Sequence, residues 1–157
     1  MELREILLIN LKEQYGDLSL ASEKVNVSVF ILQNWANNYS HPNLQHLNTI
    51  SFSSQINGSY WIQEDLIKKS SRLVFTQDKP LSYYFQNNIN ELMVESGKRR
   101  RNLFSIYHDG ITDIMSPDTF DDYRFGRTLA VPLYRLEQLG HFFECPPYKL
   151  IEVKTND

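Results

Sequence analysis

The chain has 157 residues, a formal net charge of −3, and apolar and aromatic fractions of 41% and 13%. This apolar content suffices for a folded core and excludes a wholly disordered chain, and no apolar run approaches the roughly 20 residues of a membrane span. Cys145 is the only cysteine, which excludes an internal disulfide and a zinc site built from cysteines. Because the acidic, amphipathic start is unlike a signal peptide, the sequence predicts a soluble, cytoplasmic protein.

The first half predicts a series of short helices. In order, they cover 3–15, 19–25, 28–37, a segment marked by Leu44, Leu47 and Ile50, and 60–69. Apolar residues on one face indicate the first helix, which Gly16 ends. Asn26 is expected at a sharp turn because asparagine tolerates a positive φ, and Ser28 is the expected N-cap of the third helix.

The second half predicts a similar series after a junction at 73–80. In order, its elements are helices over 83–95 and 102–107, a helix that begins at Ser116 and ends at Gly126, a helix over 133–143, and a last segment, 148–153, that is either a helical turn or a strand. Ser116, Pro117 and Asp118 form a strong helix start, with a cap, a proline at the first helical position and an acid in the first turn.

The two halves share one pattern of residues. The first copy runs from Val25-Asn26-Val27-Ser28 through Leu32 and Trp35 to Pro42-x-Leu44-x-x-Leu47-x-x-Ile50. The second runs from Ile114-Met115-Ser116-Pro117 through Phe120 and Tyr123 to Val131-Pro132-Leu133-x-x-Leu136-x-x-Leu139. A repeat of this kind indicates two small helical units built on one plan.

The first copy, over 19–50, resembles the lambda-repressor-like (Cro-type) helix-turn-helix family in its small-residue second helix, its turn and its leucine ladder. The second copy, over 102–143, resembles that family more loosely. The resemblance implies an all-α fold of two tandem helix-turn-helix domains, each of four to five short helices. The expected boundaries are 1–72 and 81–157, separated by a junction at 73–80.

The resemblance also implies a function, namely sequence-specific regulation of transcription by docking of the third helix in the major groove of double-stranded DNA. By analogy with the family, the source would be a phage or another mobile element. The implied DNA-binding residues are Ser28, Val29, Phe30, Gln33, Asn34, Asn37, Asn38, Tyr39, Lys98, Arg99, Arg100, Arg101, Arg124 and Arg127.

Charge is distributed unevenly along the chain. Residues 25–63 contain no Asp, Glu, Lys or Arg, and residues 98–101 are the one concentrated basic cluster. Asp118, Asp121 and Asp122 lie on the second copy's third helix, where they would face the DNA polyanion. Contacts to phosphate are therefore expected from the basic cluster and from Arg124 and Arg127.

The alternative is a protein-binding adaptor or antirepressor that keeps the helix-turn-helix fold without DNA contacts. It rests on more aromatic residues than two small cores need, since aromatic residues are enriched at interfaces, where a protein partner or a homodimer would bind. No catalytic loop, nucleophile motif or histidine–carboxylate pair is present, and the four histidines lack metal-ligand spacing. We therefore expect no enzyme activity, no cofactor and no metal.

Overall fold

The computed structural model describes residues 1–95 and 114–154, and within these ranges every regular element is a helix. The α-helices are α1 Leu3–Tyr15, α2 Leu18–Val25, α3 Val29–Ala36, α4 Leu44–Ser54, α5 Gly58–Trp61, α6 Leu66–Lys69, α7 Leu81–Glu95, α8 Pro117–Arg124 and α9 Leu133–Phe143, with 3₁₀ segments at Ser70–Arg72 and Pro147–Ile151. The predicted all-α class is confirmed. None of the described helices is both long enough and apolar enough to cross a membrane.

The prediction of one helix over 60–69 is wrong, because the chain forms two short helices there, α5 and α6. Ile62 leaves the helical region at φ −107° and ψ 20°, and Asp65 adopts the left-handed region at φ 61°. This break lets Trp61 and Leu66 both reach the core from separate turns, and both are fully buried. Of the two alternatives predicted for 148–153, the chain forms the helical turn, since 147–151 is a 3₁₀ helix. The predicted helix over 102–107 lies outside the described residues.

The second half repeats the helical plan of the first. Helices α3 and α8 each span eight residues, and α4 and α9 each span eleven. A serine hydroxyl caps α3 and α8 alike, because Ser28 and Ser116 each accept a hydrogen bond of 3.2 Å from a first-turn N–H. Two residues after each of these helices the chain passes through positive φ, at Asn38 (59°) and Gly126 (70°). Residues that hold the same place in the two halves are called counterparts below.

Counterparts in the core are buried together. The buried pairs are Val27 and Met115, Leu32 and Phe120, Trp35 and Tyr123, Leu44 and Leu133, Leu47 and Leu136, and Ile50 and Leu139. Because the second half keeps burial but not identity at several of these positions, the repeat is one of packing pattern.

Backbone hydrogen bonds join the two halves reciprocally where α4 and α9 begin. The Leu44 N–H donates to the Val131 carbonyl (2.9 Å), and the Leu133 N–H donates to the Pro42 carbonyl (3.0 Å). Leu44 and Leu133 are counterparts, as are Pro42 and Val131. The same hydrogen bond is thus formed again between the counterpart of the donor and the counterpart of the acceptor, which is the pattern of an approximate two-fold axis between the halves.

The first helix of each half is capped by the other half. The Leu3 N–H, at the start of α1, donates to Oε1 of Glu137 on α9 (2.8 Å). The Leu81 N–H, at the start of α7, donates to Oδ1 of Asn48 on α4 (3.0 Å). Glu137 and Asn48 are counterparts. Since the first N–H groups of a helix lack partners within it, each half completes a helix of the other.

The apolar core also follows this exchange. Helix α1 packs against α9, α4 packs against α7, and the buried apolar residues of the two halves form one cluster.

Within each half a buried asparagine of the first helix binds the last segment, which is residues 58–69 in the first half and residues 147–154 in the second. Nδ2 of Asn10 donates to two carbonyls at and after the end of α5 (2.9 and 2.8 Å), and Nδ2 of Asn88 donates to two carbonyls in 149–152 (3.2 and 3.0 Å).

Candidate nucleic-acid interface

The turn between α2 and α3 is fixed by side-chain hydrogen bonds and by one left-handed residue. Oγ of Ser28, at the end of the turn, caps α3 by accepting from the N–H of Ile31 (3.2 Å). Asn26 takes φ 61°, which asparagine adopts more readily than most residues, and the chain reverses there. Oγ of Ser22 donates to the carbonyl of Val27 across the turn (2.6 Å). The direction in which α3 leaves the turn is therefore set locally.

Helix α3 has a buried side and an exposed side. Leu32 and Trp35 are at most 1% exposed, whereas Phe30 is 69% exposed and Tyr39, just after the helix, is 80% exposed. Aromatic residues are enriched at interfaces, so this segment with two exposed aromatic rings is a candidate contact surface.

The first-half residues predicted to bind DNA lie along one segment of the chain, from the start of α3 to the loop after it. Ser28, Phe30, Gln33, Asn37, Asn38 and Tyr39 are exposed, and Val29 and Asn34 are half-buried. The Ser28 hydroxyl is engaged as the helix cap. The segment offers amide donors and acceptors and aromatic rings, and its own sequence contributes no charge.

Arg4 is a basic residue that contacts α3 and that was not among the residues predicted from the sequence. Its Nη1 donates to the carbonyl of Trp35 (2.7 Å), and its Nη2 lies 3.2 Å from Glu2 and 3.8 Å from Glu5. The side chain is 15% exposed. A cation at a helix C-terminus is favourable, so Arg4 stabilises the position of α3 and its charge is already compensated by two carboxylates.

The two second-half arginines of the predicted interface are paired with aspartates. Nη1 of Arg124 lies 3.8 Å from Oδ1 of Asp121, and Nη1 of Arg127 lies 3.2 Å from Oδ1 of Asp122. Both guanidinium groups also flank the ring of Phe125, at 5.2 and 5.1 Å from its centre. The Arg124 pair is 19% and 16% exposed, so Arg124 would have to leave or share its aspartate to hold a DNA phosphate. The Arg127 pair is 60% and 41% exposed, and such a pair competes little with a phosphate.

Four residues of the predicted interface, Lys98, Arg99, Arg100 and Arg101, lie outside the described residues. The described residues therefore place the eight neutral residues around α3 in the first half, and the two ion-paired arginines, one at the end of α8 and one after it, in the second half.

His46, on α4, packs against the buried side of α3. Its ring meets the Trp35 indole edge to face, with ring centres 5.1 Å apart. Its Nδ1 accepts from the N–H of Asn43 (3.4 Å), while Oδ1 of Asn43 accepts from the His46 N–H (3.1 Å), forming a capping box at the start of α4. Burial lowers the pKa of His46, which favours the neutral ring that this contact requires.

The comparisons with known proteins leave the function open. No protein-family model, no curated protein and no solved structure matches the chain. Among the described residues, no group of three histidine, cysteine, aspartate or glutamate side chains is arranged to hold a metal ion.

Proposed function

We propose that this protein binds double-stranded DNA as a sequence-specific transcription regulator, with α3 docked in the major groove. The observation that carries the proposal is the exposed side of α3, which presents Phe30, Gln33 and Asn34 on a segment without a carboxylate. Glutamine and asparagine amides pair with the N6 and N7 edge of adenine, and an apolar ring contacts the thymine methyl group. The resemblance to the lambda-repressor-like family supplies the docking mode.

Base reading is assigned to the first half alone. The counterparts of Phe30, Gln33 and Asn34 are Asp118, Asp121 and Asp122. Carboxylates at these positions repel phosphates, and the two nearby arginines are already paired. Contacts to phosphate are assigned to the basic cluster at 98–101, so its neutralisation to alanine weakens binding to all sequences and flattens the salt dependence.

The first test is binding of the purified protein to random-sequence duplex DNA, followed by fluorescence anisotropy at low and moderate salt. Micromolar, salt-dependent binding supports the proposal and justifies selection of a preferred site. On that site, Gln33→Ala should cost about 1–3 kcal/mol of binding free energy. Gln45→Ala, which removes an exposed glutamine on α4, is the matched control and should leave affinity unchanged. Absence of binding at low salt overturns the proposal.

A second candidate, a protein-binding adaptor or antirepressor, is favoured by the exposure of Phe30 and Tyr39 together with the pairing of both second-half arginines. In this case the exposed aromatic rings supply the affinity, because buried aromatic anchors dominate many protein interfaces. Phe30→Ala would then abolish a protein complex whose affinity changes little with salt. The DNA proposal instead expects affinity that falls steeply as salt rises.

A further inference from the structure

Each half has a groove between its first helix and its last segment. The first-half groove has a volume of about 240 Å³ and is lined by Met1, Ile6, Ile9, Glu13, Glu64 and Asp65. The second-half groove has a volume of about 420 Å³. Its lining includes Tyr84, Asn87, Glu91 and Lys154, which are the counterparts of Ile6, Ile9, Glu13 and Asp65. The buried asparagine of each half, Asn10 or Asn88, lies against its groove. The two grooves are thus the same feature of the repeated plan, with different side chains.

The second half crosses its groove with its own ion pair. The ammonium of Lys154, on the last segment, pairs with the carboxylate of Glu91 on α7. The remaining lining is mostly polar, with Tyr83, Asn87 and Asn90 along the helix. This groove therefore carries its own cation opposite its own carboxylate.

In the first half the cation is replaced by an acid. The counterpart of Glu91 is Glu13. The carbonyls of Gln63 and Glu152 each accept from the buried asparagine of their half, and two residues later stand Asp65 and Lys154, which are therefore counterparts. Within the part of the chain that the structure describes, neither Glu13 nor Glu64 has an ion-pair partner. Asp65 lies 3.7 Å from Lys68, but both side chains are more than two-thirds exposed, and such pairs contribute little. Three carboxylates therefore line the first-half groove, whereas a carboxylate and an ammonium group line the second.

The first-half groove also has an apolar wall. Ile6 and Ile9 lie three positions apart on α1 and face the groove, where Ile9 is 41% exposed and Met1 is 71% exposed. Beyond Met1, a second hollow of about 350 Å³ continues past Glu64 to Tyr148. Lys69, which donates to Oε1 of Gln63 (3.1 Å), also lines this second hollow, so the acidic part of the rim is that of the first-half groove.

We propose that the first-half groove docks a basic amphipathic helix of a protein partner. Apolar residues of that helix cover Ile6 and Ile9, in the way that an amphipathic helix seats its apolar face in a groove. A lysine or arginine of the partner stands beside Glu13 and Glu64, where the second half has its own Lys154. The partner's cation would thus occupy the place that the Lys154 ammonium occupies in the second half. This proposal does not depend on DNA binding.

The test uses the full-length protein and a fluorescein-labelled helical peptide of about 14 residues, roughly four turns, with a leucine face flanked by lysines. The comparison peptide has glutamine in place of each lysine. The lysine peptide should bind at least tenfold more tightly in fluorescence anisotropy. Equal affinity for the two peptides, or no binding by either, overturns the proposal.

Variants locate the peptide on the protein. Glu13→Lys combined with Glu64→Lys should lower affinity for the lysine peptide at least tenfold, and Ile9→Ser should lower it severalfold. The matched controls are Glu23→Lys, an exposed glutamate on α2, and Val74→Ser, an exposed valine away from the groove. Circular dichroism confirms that each variant is folded. Unchanged binding by the double variant, or an equal loss with Glu23→Lys, also overturns the proposal.

Discussion

Asn48 caps a helix of the opposite half, so its removal measures how strongly the two halves stabilise each other. Asn48→Ala deletes the acceptor for the Leu81 N–H (3.0 Å), which begins α7. The same Oδ1 also accepts from Nε2 of Gln77 (3.2 Å), a residue that is 2% exposed. Both donors would lose this partner.

The expected cost follows from these two hydrogen bonds. Replacement of a helix cap by alanine costs typically about 1 kcal/mol of unfolding free energy. The loss at Gln77 is only partial, because its Nε2 still donates to the Ser51 hydroxyl (2.9 Å) and its Oε1 still accepts from the Gly58 N–H (3.1 Å). With a further contribution of up to about 1 kcal/mol from the weakened network, the total is about 1–2 kcal/mol.

Urea denaturation followed by circular dichroism measures this cost. The far-UV signal reports the helices of both halves, and the aromatic near-UV signal reports their packing. Because each half caps a helix of the other, the two signals should change in one transition in the wild type and in the variant. Asn48→Asp keeps an acceptor at the start of α7 and adds a charge that suits a helix N-terminus, so it should restore most of the lost stability.

The matched control is Gln45→Ala, an exposed glutamine one turn earlier on α4, with an expected change within about 0.5 kcal/mol. If Asn48→Ala costs no more than this control, the cross-half cap contributes nothing and the reasoning fails. If either signal changes in two separate steps, the halves unfold independently, and reciprocal stabilisation is refuted.

Three further predictions concern ionisation and backbone conformation, each measured by urea denaturation. Burial lowers the pKa of His46 from 6.5. The contribution of His46 to stability is therefore present above pH 6.5 and is lost as the pH falls through the pKa of the folded state. His46→Gln keeps a side chain that can complete the capping box and should flatten this pH dependence. Burial raises the pKa of Glu137 from 4.5 despite the hydrogen bond from the Leu3 N–H. The contribution of Glu137 to stability is therefore present below pH 4.5 and is lost as the pH rises through the pKa of the folded state. The stability of Glu137→Gln relative to the wild type should increase between pH 4 and pH 7. Gly126→Ala should cost about 1–2 kcal/mol because φ is 70° and a Cβ would lie 2.5 Å from a glutamine side-chain oxygen, whereas Asn38→Gly at its counterpart should change stability by less than about 0.5 kcal/mol.

The helices that the sequence predicts best are those with both a clear apolar period and a clear stop. Helix α1 begins at Leu3 and ends before Gly16, and α9 ends before Glu144, as their apolar spacing predicts. The error at 60–69 arose because its apolar residues are compatible with one helix, whereas the break depends on a left-handed Asp65 that no local motif marks. Tertiary burial of Trp61 and Leu66 decides the outcome there.

The candidate interface was only partly predictable. Exposure of Phe30 and Gln33 follows from the inward positions of Leu32 and Trp35 on the same short helix, which helical geometry fixes. Pairing of the two second-half arginines with aspartates depends on rotamers and on the path of the chain after α8, which a sequence pattern does not specify. The caps that cross between halves are equally hidden, because they require the relative placement of two helices more than 30 positions apart.

The two halves are alike at their buried positions and differ at their exposed positions. Leu32 and Phe120 are counterparts and both are fully buried, whereas the exposed counterparts Phe30 and Asp118 differ in charge and in polarity. A shared core preserves the two-fold arrangement of helices, because reciprocal caps and core contacts constrain only inward-facing residues. Outward-facing residues are free to differ, and they leave the third helix of one half neutral and that of the other acidic. The two halves therefore have a symmetric arrangement of helices but different surfaces. A partner that binds the third helix of one half has no equivalent site on the other half.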